Sequence, residues 1–173
     1  MRRLVLGLSL MLATLAFACG GGRTGSAAKM PDGSPIAVMV NFNRNITPDM
    51  PPERVEQVNQ LATWMEDDLL AILSKTGYAA TRVEDPGVQA GPGRYVLRVA
   101  IREYNAGSKA ARMLVGFGAG AAKLDTHFEL IGDGAVAMVA GDPSVGTGRD
   151  WRNAARKVNL QTVDTVNAAL HKR

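Results

Sequence analysis

From Ile36 to Phe42 the chain reads Ile-Ala-Val-Met-Val-Asn-Phe, a short apolar run bounded by Pro35 and by Asn43-Arg44-Asn45. That is the pattern of a buried strand. Val55, Val58, Leu61, Ala62, Met65, Leu69, Ile72 and Leu73 then recur at three- and four-residue steps, which predicts a helix that ends at Gly77. Pro51 and Pro52 suit its first turn, where an amide hydrogen would lack a partner, and Asp49 is the expected cap. The opposite face, with Glu53, Glu56, Gln60, Glu66, Asp67 and Lys75, is expected to be solvated. Tyr78 to Val83 fits a second strand, closed by the turn residues Glu84-Asp85-Pro86-Gly87, with Gln89 to Gly93 prolonging the loop.

Further along, the period changes to two. Tyr95, Leu97, Val99 and Ile101 oppose Arg94, Arg98 and Arg102, and Leu124, Thr126, Phe128 and Leu130 oppose Lys123, Asp125, His127 and Glu129. Gly132-Asp133-Gly134 turns the second of these strands into a hairpin with Ala135 to Ala140. Trp151, Ala155, Val158, Thr162, Val166 and Ala169 return to helical spacing, with Asp150 or Ser144 as candidate caps. The order is strand, helix, four strands, helix, without an internal repeat or a long heptad pattern. It predicts an α+β single domain: a mainly antiparallel sheet of about five strands with two helices packed on one face.

The amino terminus has a different pattern. Met1-Arg2-Arg3 precedes an uncharged apolar run from Leu4 to Phe17, and Ala16-Phe17-Ala18 places small residues before Cys19, the single cysteine. This is the build of a secretory signal at residues 1–18, and it is shorter than the roughly 20 apolar residues of a membrane span. It resembles the lipobox of bacterial lipoproteins, although that pattern usually has a branched aliphatic where Ala16 stands; an ordinary secretory cleavage also fits Ala16-Phe17-Ala18. The resemblance implies a thioether-linked diacylglycerol on Cys19 and an acylated amino terminus, a membrane partner held by more than one chain. Gly20 rather than Asp after the cysteine resembles the pattern exported to the outer membrane, facing the periplasm. The alternatives are a secreted form and an inner-membrane anchor.

Gly20 to Pro35 offers little to bury, so residues 19–35 are expected to form a flexible tether on the order of 20 Å long and residues 36–173 the domain. The formal charge of +4 comes from 20 Lys+Arg and 16 Asp+Glu, and loss of Arg2 and Arg3 with the signal halves it. Interleaved signs provide no basic stripe, so nucleic acid is not an expected partner. With no second cysteine, the domain must hold by packing.

Two glycine-rich stretches attract functional readings. In Val115-Gly116-Phe117-Gly118-Ala119-Gly120 the spacing is Gly-x-Gly-x-Gly and the residues after it alternate like a strand, so it lacks the dinucleotide fingerprint; Gly120-Ala121-Ala122 also lacks the Gly-Lys-Ser/Thr end of a phosphate loop. A bend where backbones approach closely explains it. With Arg112 beside it, Phe117 is either core or part of a partner surface. Gly141 to Trp151 is the second stretch, and Arg149, Asp150 and Trp151 at its end are the candidate contacts beside a helix start.

Chemistry-bearing constellations are sparse. His127 lies in an alternating strand and His171 near the end, without metal-ligand spacing. Glu66, Asp67 and Asp68 are consecutive on a helix and diverge, and Ser74, Ser108 and Ser144 lack an elbow motif. No cofactor, metal or catalytic residue is expected, and the chain is read as no enzyme.

The stretch Ala111 to Leu124, Ala-Arg-Met-Leu-Val-Gly-Phe-Gly-Ala-Gly-Ala-Ala-Lys-Leu, together with Phe128-Glu-Leu-Ile131 beyond it, resembles a family of bacterial lipoproteins known as domain of unknown function 4410. The resemblance extends to Gly141–Gly148 and the last helix, with a shorter Ile131-Gly132-Asp133-Gly134 turn than the family's usual Asp-x-x-Thr-Gly. It brings no activity and no functional residues. More loosely, the element order is similar to periplasmic lipoproteins that assist cell-wall synthases or build secretion pores. The expected role is therefore non-catalytic binding of a protein partner or envelope component. The alternative is a small-ligand binder or enzyme using loops 116–120 and 141–150.

Overall fold

A computed structural model describes residues 26–105, 122–147 and 150–172. Along the chain stand β1 (Ala37–Asn43), α1 (Pro52–Thr76), β2 (Ala79–Arg82), β3 (Arg94–Asn105), β4 (Ala122–Ile131), a short 3-10 turn (Asp133–Ala135), β5 (Ala137–Gly141), β6 (Ser144–Thr147) and α2 (Trp151–Leu170). Strand order is β2-β1-β3-β4-β5, with β6 also on β4.

The α+β sheet is mainly antiparallel as expected, but it has six strands rather than about five and is mixed, with a parallel part around β1. β1 pairs in parallel with both β2 and β3, while β4 is antiparallel to β3, β5 and β6. The cause lies in the connections. A helix as long as α1 returns the chain to the end at which β1 began, so β2 must run with β1, and the loop of residues 83–93 brings β3 in along the same direction on β1's other side.

Both helices cover one face. Leu69, Ile72 and Leu73 of α1 meet Val163, Val166 and Leu170 of α2 over Val38, Val40, Leu97, Val99, Phe128 and Leu130. A second cluster joins Leu61, Met65, Ile101, Tyr104, Leu124, Ala155 and Val158 towards the other end. The alternation read from β3 and β4 is kept, except that the β3–β4 register shifts between Ile101 and Glu103. This bulge leaves Arg102 unpaired and returns Tyr104 to the core side. On the helix-free face, Val83, Val88 and Ala90 cover Met39, Val96 and Ile131.

Three local expectations change. Asp49 does not cap α1: Pro51 is the cap residue, without a side-chain bond, and Asp49 hydrogen-bonds Thr47 in the preceding turn. Glu66 is buried rather than solvated, because Arg82 of the adjacent β2 reaches it at 3.1 Å while also holding the exposed Asp67 at 2.6 Å. Finally, residues 26–35, assigned to the tether, lie against the domain. Ala27 donates its amide to Thr76 O at 2.9 Å, and Ala27 and Ala28 are small enough to join the core beside Tyr78. Residues 19–25 of the tether lie outside the described residues. No helix among the described residues is long and apolar enough to cross a membrane.

Candidate functional site

Strand pairing brings the end of β3, the start of β4 and the end of β6 side by side. Asn105, the last residue of β3, faces Lys123, and Ala122, the first of β4, faces Thr147, the last of β6. Residues 106–121 and 148–149, next in sequence to these strand ends, lie outside the described residues. Arg112, Gly116, Phe117, Gly118, Gly120 and Arg149 lie outside the described residues, as does Cys19 with the signal. Gly141 and Gly146, read as loop, belong to β5 and β6.

Asp150 and Trp151 are described, and they build the start of α2. Asp150 is extended, at φ −139°, and its carboxylate accepts the Arg152 amide at 2.9 Å, as the cap expectation required; Ser144 instead donates to Asp125 across the β4–β6 pair. Trp151, in the first turn, meets Trp64 of α1 edge to face, with ring centroids 5.7 Å apart and planes at 84°. That geometry sets the positive edge of one ring against the negative face of the other. The Arg152 guanidinium lies 4.8 Å from the centre of the Trp151 ring.

These two rings are the chain's only tryptophans. Both are half-buried, resting on the second core cluster and bordering a shallow groove of about 510 Å³ whose other walls include Asn59, Gln60 and Thr63. The tryptophans give the groove an apolar part, and the rest carries carboxamides, a hydroxyl, the Glu56 and Asp67 carboxylates and the Arg152 guanidinium. It can remove aromatic surface from water while satisfying polar groups at the rim. Nearby, Arg54 stacks 5.4 Å from the Tyr104 ring centre; burial pushes the Tyr104 phenol upward, with Arg54 opposing the shift. Trp64 was absent from the sequence-derived site. Its signal was a tryptophan on the margin of α1's apolar stripe, between Leu61 and Met65.

The consecutive carboxylates of α1 separate as expected for one of them. Glu66 and Asp67 converge on Arg82, while Asp68 turns to Arg156 at 2.8 Å and to the buried Asn159 at 3.1 Å, tying α1 to α2. His171 contacts Ser26 O. His127 stands on the helix-free face between Glu129 of its own strand and Asp142 of the link between β5 and β6. No group of three His, Cys, Asp or Glu side chains among the described residues is placed to hold a metal ion.

A family model matches residues 31–168, nearly the whole described domain. The chain belongs to the Domain of unknown function (DUF4410) family. No functionally curated protein matches it. Among solved structures it is similar to PelC dodecamers from Paraburkholderia phytofirmans. One, a variant, is 19% identical over 84% of this chain and 92% of that one, and the other is 17% identical over the same shares; both have a TM-score of 0.45. A putative neuraminyllactose-binding hemagglutinin homolog from Helicobacter pylori is 12% identical over 86% of each chain, with a TM-score of 0.31.

Proposed function

We propose that this DUF4410 protein is an outer-membrane lipoprotein, anchored through Cys19, whose periplasm-facing domain binds a protein partner or envelope component without catalysing a reaction. The observation that carries the binding reading is the Trp64–Trp151 pair, half-exposed beside a polar-rimmed groove. Paired aromatics with an arginine are the residue types that dominate binding energy where partners meet. The anchoring reading rests on the order of residues from Met1 to Gly20.

Two experiments test the parts separately. Cys19→Ser is expected to release the chain from membranes and abolish fatty-acid labelling; unchanged retention refutes the anchor, and density-gradient fractionation of the native chain separates outer-membrane from inner-membrane sorting. For binding, a photo-crosslinker at Gln60 in intact envelopes should trap a discrete adduct that Trp151→Ala and Arg152→Glu weaken, identified by mass spectrometry. Equal trapping from Lys75, at the other end of α1, refutes the site.

The second reading, a small-ligand binder or enzyme using loops 116–120 and 141–150, is favoured by one observation: the strand ends nearest these loops in sequence are neighbours, since Asn105 faces Lys123 and Ala122 faces Thr147. It predicts that a metabolite panel raises the unfolding temperature of the native chain and that Gly118→Val removes the rise.

A further inference from the structure

β5 and β6 are two halves of one edge strand. Both lie along the same side of β4, β5 on Phe128–Ile131 and β6 on Ala122–Asp125, separated by Asp142-Pro143. Proline at the break costs no ladder bond from its missing amide, and Pro143 O accepts the Thr126 amide of β4 at 3.1 Å, so a backbone bond spans the interruption.

Asp142 fastens the same break through its side chain. Its Oδ1 lies 2.6 Å from Arg102 Nη1 and 2.8 Å from His127 Nδ1. Arg102 is the residue extruded by the β3 bulge, so that irregularity supplies one of the two grips. The other ring nitrogen of His127, Nε2, lies 3.2 Å from Glu129 Oε1.

That double contact favours the charged ring. A neutral imidazole has one N–H: it can donate to one carboxylate, and it then turns a lone pair toward the other. Donation to both Asp142 and Glu129 requires the imidazolium. Arg98 stands opposite Glu129 in the ladder and Arg102 holds Asp142. Loss of the ring proton therefore leaves each carboxylate an arginine, but it removes the ring's bond to one of them and turns a lone pair toward it. Arg98 and Glu129 are the charged groups among the residues of the depression beside the ring, to which β1 and the loop after β2 contribute Asn41, Asn43 and Pro86.

We propose that His127, Asp142 and Glu129 form a pH-sensitive latch: the imidazolium holds the interrupted edge strand closed on β4, and the neutral ring loosens it at Asp142-Pro143 and β6. The latch acts on β6 and the first residues of β4, and it stands on this geometry whatever the domain binds.

The hydrogen bonds to Asp142 first, and then to Glu129, raise the His127 pKa above its ordinary 6.5. A raised native-state value means that the latch's contribution is complete below the ordinary value and is lost as pH rises through the elevated one. Amide exchange and ring titration by NMR on the native chain, from about pH 5.5 to about 8.5, test this. After correction for intrinsic exchange, protection of the Thr126 and β6 amides should fall about two- to fivefold, the effect expected of one partly exposed ion pair. The midpoint should coincide with the His127 titration, and amides between β1 and β3 should keep their protection. His127→Gln should flatten the profile at the loosened level, Asp142→Asn should lower the ring's pKa and shrink the step, and His171→Gln should leave it unchanged. A flat native profile, a step surviving in His127→Gln, or a midpoint apart from the ring titration overturns the latch.

Discussion

Gly141→Ala is expected to be costly for a reason that lies wholly in the partner strand. Gly141 sits directly opposite Phe128 in the β4–β5 ladder. A Cβ on Gly141 would stand 2.7 Å from Phe128 Cε1 and 2.9 Å from Cζ. Relaxed carbon contacts lie at about 3.5–4.0 Å, so the ring or the strand must give by roughly 1 Å. The ring is 2% exposed and belongs to the core between β4 and both helices, so no solvent gap receives it. Overpacking of this kind costs about 1–3 kcal/mol, which for a domain of this size lowers the melting midpoint by roughly 3–10 °C. Backbone strain plays no part, because Gly141 is not among the positive-φ glycines. Urea and thermal denaturation of the purified chain measure the loss, and a cycle with Phe128→Leu tests its cause. The smaller side chain vacates the clash, so the double variant should be more stable than the sum of singles by about 0.5 kcal/mol or more. A stability change below about 0.3 kcal/mol in Gly141→Ala, or strict additivity, refutes the reasoning.

Two further substitutions probe features of the same domain. Arg82→Met withdraws the cation from Glu66, whose side chain is 9% exposed, and should cost about 1–2 kcal/mol, discounted because Arg82 itself is 42% exposed; adding Glu66→Gln should recover most of it in urea denaturation. Gly77→Ala forces a side chain into φ 115° and sets its Cβ 3.3 Å from Ala27 Cβ, so it should cost about 1–2 kcal/mol and speed hydrogen exchange at the Ala27 amide, which a neutral effect on both readouts would contradict.

Much of the fold was legible because local pattern and tertiary need coincide. α1 and α2 carry stripes wide enough to face a sheet, and Leu124, Thr126, Phe128 and Leu130 point inward as their alternation requires. Elsewhere the deciding partner is distant. Gly141 to Thr147 reads as a turn by composition, yet β6 forms because an edge strand tolerates Pro143 and because β4 extends far enough to receive it. The parallel course of β2 and β3 depends on connections, which periodicity does not report. Arg82 reverses the expected exposure of Glu66 from another element, and the β3 bulge that re-aims Arg102 has no signature in Arg-Glu-Tyr. The candidate site divides in the same way. Asp150 and Trp151 were visible as a helix start, whereas the partnership with Trp64 and the meeting of His127, Asp142 and Arg102 exist only once strands and helices are assembled.

The polar face and the aromatic end also differ in what a partner would have to undo. On the helix-free face, Lys123 is bound to Glu103 and Asp125, Arg102 and His127 share Asp142, and Arg98 donates to Pro86 O. A ligand recognised there must displace charges that already hold one another, several of them at once. At the Trp64–Trp151 groove no such exchange is needed for the rings: they already stand half in water, and covering them gains about 25 cal/mol per Å² of apolar surface removed. Arg152 is held there by a cation–π contact of about 0.5–1 kcal/mol at an exposed site, so it can swing toward an incoming acidic or aromatic group at little cost. The aromatic end is thus where association meets the smaller penalty, and the polar face is better suited to sensing protonation than to docking.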